Sequence, residues 1–146
     1  MAKPERWRQD VASYPVQIVT PTRFQDLDTN GHINNVAFAA LFENARVRMN
    51  REARPLDGRP DGERTMVATV TINYLREGRY PDDMLLASGV GHIGTSSWMF
   101  VQAMFQNGAC IATCDSVIVC RKDSAAQPLR QTIRDWLEAN RALNDV

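Results

Sequence analysis

Four strand-like patterns succeed one another between residues 65 and 121 with no helical pattern between them, and this restricts the possible architectures most. In residues 65–75, Met66, Ala68, Val70, Ile72 and Tyr74 alternate with Val67, Thr69, Thr71, Asn73 and Leu75, the two-residue period of a strand. Residues 84–93, 96–106 and 109–121 follow. Asn107-Gly108 separates the last two and is the strongest hairpin signal in the chain, because a type I′ turn needs φ > 0 at both central residues. Gly78 and Tyr80-Pro81-Asp82-Asp83 supply the turn before the second strand.

Ahead of these strands, residues 16–26 read as a strand and residues 36–49 as a helix. Phe38, Leu41, Phe42, Ala45 and Met49 recur at spacings of three and four, with Asn34 or Asn35 as the N-cap. The first turns of this helix are apolar on more than one face, which predicts that other structure wraps it; Ala37, Ala39 and Ala40 allow close packing. Residues 51–63 hold two prolines, two glycines and seven charges and read as an exposed loop. A last helix is expected over residues 128–143, with Pro128 in its first turn and Ile133, Trp136, Leu137 and Leu143 on one side, interrupted by Asn140. Residues 1–14 show no period and are expected to form a loose arm, leaving residues 15–146 as a single domain. One long helix followed by antiparallel strands argues for an α+β fold with the helix on one face of the sheet.

Composition excludes some partners. Lys plus Arg balances Asp plus Glu at 17 each, so there is no electrostatic reason to expect nucleic acid or an anionic membrane surface. No apolar run reaches the roughly 20 residues that span a bilayer, and the N-terminus lacks the apolar centre of a signal peptide, so a cytoplasmic protein is expected. Cys110, Cys114 and Cys120 share one strand pattern and one parity. At about 3.3 Å per residue, Cys110 and Cys114 stand about 13 Å apart, too far for a disulfide. A C-x3-C pair without a nearby histidine is a poor zinc site, so no metal is expected and the cysteines read as small core residues.

Reactive groups concentrate in residues 23–35, Arg-Phe-Gln-Asp-Leu-Asp-Thr-Asn-Gly-His-Ile-Asn-Asn. Two carboxylates, four side-chain amides and one of the two histidines stand here between a strand pattern and the long helix. A helix start presents free N–H groups, and charged side chains beside them suit chemistry on a carbonyl. On residue types alone Asp28 is either a turn-former ahead of Asn30-Gly31 or a chemical group. Asn30 either holds the turn or positions water, and His32 either braces the scaffold or orients a ligand. Asp26 reads as an ion-pair or turn residue, with Arg23 or Arg46 as partner, and Glu43 as a helix residue paired with Arg46 or a neighbour.

The run R-F-x-D-x-D-x-N-G-H-I-N-N followed by V-x-F-x-x-L-F-E-x-A-R resembles the hotdog-fold thioesterases, above all the 4-hydroxybenzoyl-CoA thioesterase group. Asp26-Leu27-Asp28-x-Asn30-x-His32-x-Asn34-Asn35 is also similar to the plant acyl-carrier-protein thioesterase motif. The resemblance covers residues 16–122. It implies a five-stranded antiparallel sheet wrapped around the long helix, and hydrolysis of an acyl-CoA or acyl-carrier-protein thioester. CoA would enter as part of the substrate, with no separate cofactor. Asp28 would be general base or nucleophile, with His32, Asn30 and Asn35 at the reacting group and helix N-terminal amides on the carbonyl oxygen. Asn34 and Phe38 would contact the acyl portion. Thr95, Ser96 and Ser97, in the turn that borders the nucleotide in relatives, would contact CoA. Arg76, Arg79, Arg121 and Lys122 are candidates for its phosphates, and His92 is read as structural. The further carboxylate of the plant enzymes would fall near Met66, with Glu63 a few residues early, so the single-aspartate version fits better. Relatives assemble as dimers or dimers of dimers, so a homodimer or homotetramer is expected.

Two other functions compete. A hotdog hydratase or dehydratase uses a pattern like D-x-N-P-x-H, whereas here Asp28 to His32 spans four residues and glycine replaces the proline. A non-catalytic acyl-binding protein could retain the same fold.

Overall fold

The structure is a computed structural model describing residues 3–53 and 60–143. Its elements are β1 (Val16–Thr20), α1 (Asn35–Glu52), β2 (Glu63–Tyr74), β3 (Met84–Ile93), β4 (Ser97–Gln106), β5 (Ala109–Lys122), β6 (Ala125–Ala126) and α2 (Gln131–Ala139). The strands form one antiparallel sheet in the order β1-β3-β4-β5-β2, with the two-residue β6 added to the end of β5. This is the expected hotdog architecture, a five-stranded sheet around one long helix with a second helix at the C-terminus. Among the described residues no helix is long and apolar enough to cross a membrane.

Asn107 and Gly108 adopt φ of 52° and 79°, the left-handed pair that a tight β4–β5 hairpin needs. Asn34 caps α1, its side chain accepting the Ala37 amide at 2.7 Å. The helix buries Ala37, Phe38, Phe42 and Ala45 against Met84, Leu86, Met104, Ala112 and Cys114 of the sheet. Phe42 is fully buried, worth about 1.5–3 kcal/mol of transfer free energy. Met49, near the far end of α1, joins a second cluster with Trp98, Phe100 and Ile118 of the sheet and Leu137 of α2.

Several local expectations are corrected. β1 ends at Thr20, before Pro21, which has no N–H to continue a ladder; residues 24–26 instead make a 3-10 turn, so Asp26 and Asp28 share no strand face. Residues 6–14 are no loose arm: 3-10 turns at Arg6–Gln9 and Val11–Ser13 lie on the sheet face opposite α1, Tyr14 is buried there, and Arg8 pairs with Asp115. Pro128 lies outside α2, because residues 127–129 are drawn out along the sheet: the amides of Gln127 and Leu129 donate to the carbonyls of Cys120 and Thr95, each at 2.9 Å. Leu143 lies beyond α2 and is exposed. The expected loop after α1 includes residues 54–59, which lie outside the described residues. Within one chain α1 is covered on one side only, and Val36, Ala39, Ala40 and Val47 remain exposed.

The cysteines do not share one face. Met104 pairs with Ala112 but Phe105 pairs with Cys110, so Ile111 is an extra residue in β5. This bulge reverses the alternation: Cys110 packs with Tyr14 and Phe105 on the outer face, Cys114 on the helix side. The Ile111 carbonyl accepts the amides of both Leu75 (2.9 Å) and Arg76 (3.1 Å), which ends the β2 ladder and sets the course of the next residues.

Candidate active site

Residues 21–34, between β1 and α1, run beside residues 75–83, between β2 and β3, as one seam. Thr22 Oγ1 donates to the Asp82 carbonyl (3.0 Å), the Phe24 and Tyr80 rings meet edge to face, the Ile33 amide donates to the Gly78 carbonyl (3.0 Å), and His32 Nε2 lies 3.1 Å from Glu77 Oε2. Gly78 is demanded by the close approach: a Cβ there would stand 2.9 Å from Met84 Cε and 3.1 Å from Ile33 Cβ.

Asp28 opens a tight turn in this seam. Its amide donates to the His32 carbonyl (2.8 Å), its own carbonyl accepts from Gly31 (3.1 Å), and Gly31 takes the φ of +79° that closes the turn. Asp28 Oδ1 accepts the amides of Asn30 (2.8 Å) and His32 (3.1 Å); among the described residues Oδ2 has no protein partner. The carboxylate is exposed at the mouth of a groove of about 400 Å³, lined by Asp28, His32, Asn35, Phe38, Tyr74 and Arg76 among others. Phe38 and Tyr74 meet edge to face at 5.3 Å between ring centroids.

The leading end of α1 faces the same groove through Asn35. Among the described residues the amides of Asn35 and Val36 have no acceptor, whereas that of Ala37 is taken by Asn34 and that of Phe38 by the Asn34 carbonyl. A carboxylate with one uncommitted oxygen therefore stands beside unpaired N–H groups at a helix start. Such a pair can direct an oxygen nucleophile and receive negative charge on a carbonyl oxygen.

The structure brings together Asp28, His32, Asn35 and Phe38. Asn30 contributes through its backbone, and the Asn34 side chain is committed to the cap. Asp26 is a scaffold residue: it is buried, and its carboxylate accepts Arg23 Nη2 at 2.8 Å and the Arg23 amide at 2.9 Å. Burial alone would raise its pKa; the Arg23 hydrogen bonds and charge outweigh that and hold it below the ordinary carboxylate range. Arg46 is not its partner but lies buried with Nη1 donating to Ser116 Oγ at 3.1 Å, and so does not pair with Glu43 either. Glu43 is exposed on α1, and Glu63 is buried against Arg130.

Thr95, Ser96 and Ser97 lie at the opposite end of the ten-residue β3 from Met84, a separation of about 30 Å, so one chain does not place them at the groove. The Thr95 and Ser96 carbonyls instead hold Leu129 and Cys120 (2.9 and 2.8 Å). Tyr74, Arg76 and Glu77 were not singled out for the reaction site from sequence. The missed signal was the end of a β-branched strand just ahead of Gly78, where backbone leaves the ladder.

A family model for the thioesterase-like superfamily matches residues 22–137. Among solved structures, a Thermus thermophilus thioesterase complexed with coenzyme A and Zn is 28% identical; the likeness covers 87% of this chain and 94% of that one, with a TM-score of 0.76. The PA5185 protein of Pseudomonas aeruginosa is 25% identical over 92% of this chain and 96% of its own, with a TM-score of 0.78. A predicted thioesterase from Bacillus stearothermophilus, 24% identical with a TM-score of 0.79 over 88% and 98% of the two chains, shares the fold. No curated protein matches the sequence. The family and the Thermus thioesterase support thioester hydrolysis as the class of chemistry.

Proposed function

The chain belongs to the thioesterase-like superfamily, and on that premise we propose that it hydrolyses an acyl-CoA thioester to free acid and CoA. One observation carries the reading: Asp28, with one uncommitted carboxylate oxygen, shares a groove with the unpaired leading end of α1 and the buried ring of Phe38. The acyl chain lies toward Phe38 and its carbonyl oxygen toward the amides of Asn35 and Val36. Asp28 Oδ2 takes a proton as water attacks the carbonyl carbon; the tetrahedral intermediate collapses with loss of the C–S bond, and the proton held on Asp28 passes to the leaving thiolate, which restores the carboxylate. If Oδ2 itself attacks, an acyl anhydride forms with loss of thiolate, and water then cleaves it to free acid and Asp28. One oxyanion donor is worth roughly 3–4 kcal/mol of barrier.

Coenzyme A as the thiol half is supported by the complex of the Thermus relative, which was solved with it. His32 braces the turn rather than delivering a proton: its Nε2 is directed to Glu77. This does not favour a hydratase, which needs an acid and a base astride two adjacent carbons.

β2 ends the sheet with both faces uncovered: Met66, Val67, Val70 and Tyr74 are all exposed. A long apolar edge strand is a pairing hazard unless a second chain covers it. A homodimer joined antiparallel along β2 covers it, and its two-fold axis reverses the partner strand end to end. That brings the partner's β3–β4 end, with Thr95, Ser96 and Ser97, toward the groove of the first chain.

The test is a panel of acyl-CoA esters with release of free thiol as readout, run on wild type and Asp28→Asn. Thiol release by wild type, lost in the variant, supports the reading. Hydration of an enoyl-CoA without thiol release, or tight acyl-CoA binding without turnover, overturns it.

A further inference from the structure

The two halves of the reaction groove stand on the two arms of one short ladder. Leu27 and Ile33 form an isolated antiparallel bridge. To one side of it the Asp28 amide donates to the His32 carbonyl at 2.8 Å; to the other the Asn34 amide donates to the Asp26 carbonyl, also at 2.8 Å. Residues 26–28 therefore run antiparallel to residues 32–34. The first arm ends at the Asp28 carboxylate, and the second passes through the Asn34 cap into the amides of Asn35 and Val36.

Asp26 is the node of this ladder. Its carbonyl takes the Asn34 amide, its own amide donates to the Arg23 carbonyl at 2.9 Å, and its carboxylate is buried. Oδ1 accepts Nη2 (2.8 Å) and Nε (3.2 Å) of the Arg23 guanidinium, and Oδ2 accepts the Arg23 amide (2.9 Å). Among the described residues no other cation pairs with it. The middle of the ladder is held separately: Ile33 is buried in the cluster beneath α1, Leu27 packs partly against it, and the Ile33 amide donates to the Gly78 carbonyl. The Arg23–Asp26 bonds hold the end nearest the helix start. Arg23 itself is 61% exposed along its side chain and does not line the groove.

Removing one partner of a buried ion pair is costly, so Asp26 does not keep its place without Arg23. Any movement of Asp26 is passed to the Asn34 amide that it holds and to Asp28 two residues on. We infer that Arg23 is a positioning residue: through Asp26 it sets the separation between the Asp28 carboxylate and the amides at the start of α1. This rests on the thioesterase reading and adds to it a residue remote from the substrate. The thioester carbon meets an oxygen nucleophile while its carbonyl oxygen meets the amides, and a small error in that separation lowers the rate steeply.

Arg23→Gln removes the guanidinium and leaves the backbone bond to Oδ2. For the best acyl-CoA ester kcat is expected to fall about tenfold, with KM changed by less than about twofold. Arg23→Lys keeps the charge without the planar fork; it should lie between the two, and it is the variant to read if Arg23→Gln does not fold. A merely structural arginine would lower turnover by the same factor whatever residue stands at 28, whereas a positioning one acts through Asp28. In the Asp28→Asn background Arg23→Gln should therefore add no further loss. An unchanged kcat, a loss confined to KM, or a full further loss in the double variant overturns the inference. Amide hydrogen exchange reads the ladder without catalysis. Exchange at Asp28 and Asn34 should quicken about tenfold in Arg23→Gln, and unchanged exchange overturns the inference. Wild type that releases no thiol sinks the thioesterase reading, while the exchange rates still decide whether Arg23 holds the ladder.

Discussion

The backbone amide of His32 donates to Asp28 Oδ1 at 3.1 Å, so the turn that carries the carboxylate also fixes its orientation. The Asn30 amide holds the same oxygen at 2.8 Å, and these two bonds leave Oδ2 for chemistry. Asp28→Asn keeps an Oδ1 acceptor, and hence the turn, while removing the negative charge. Turnover of the best acyl-CoA substrate is expected to fall by about two orders of magnitude or more, the scale of general-base catalysis. Circular dichroism should be unchanged. Near-normal rates in this variant would remove Asp28 from the mechanism.

Asn34 works through the helix it caps. Asn34→Ala strips the acceptor from the Ala37 amide and should cost about 1 kcal/mol in urea unfolding. Asn34→Ser or Asn34→Asp should recover most of that. A loss in the alanine variant that neither replacement repairs would mean that the side chain does something besides capping.

The Asp26 carboxyl titrates below its ordinary range in the folded chain, so the unfolded chain binds its proton first as pH falls. Its contribution to stability is complete above the unfolded value of about 3.9 and is lost as pH drops through that range toward the lower folded value. Asp26→Asn should flatten the acid side of a stability profile measured by urea melts at successive pH values. Wild-type and variant profiles of the same slope would contradict this.

The exposed β2 edge predicts self-association. Val70→Lys places a charge in the middle of that strand and should shift the species seen by light scattering from dimer to monomer. Wild type scattering as a monomer at working concentration would count against the β2 dimer and against a partner's Thr95 at the groove.

The Cys110 thiol is pushed up to about 11 by burial, which outweighs the backbone hydrogen bonding of Ala112 and the charges of Arg76 and Arg8. Little thiolate is present near pH 8, so iodoacetamide should label it far more slowly in folded protein than in urea. Equal rates in the two conditions would show that the outer-face packing over it is open.

Local pattern was enough for much of this molecule. The bounds of β3, the Asn107-Gly108 turn, the Asn34 cap and the crowding of reactive groups into residues 23–35 are each written in neighbouring residues, because periodicity, caps and tight turns depend on a few adjacent dihedrals and side chains. What only the tertiary structure decided is non-local. The extra residue at Ile111 puts Cys110 and Cys114 on opposite faces, although the sequence spaces them as one. The length of β3 carries Thr95 away from Asp28, and the β2–β5 register brings Tyr74 to Phe38. Strand register and bulges follow from pairing between segments far apart in the chain, and no window of sequence contains both partners.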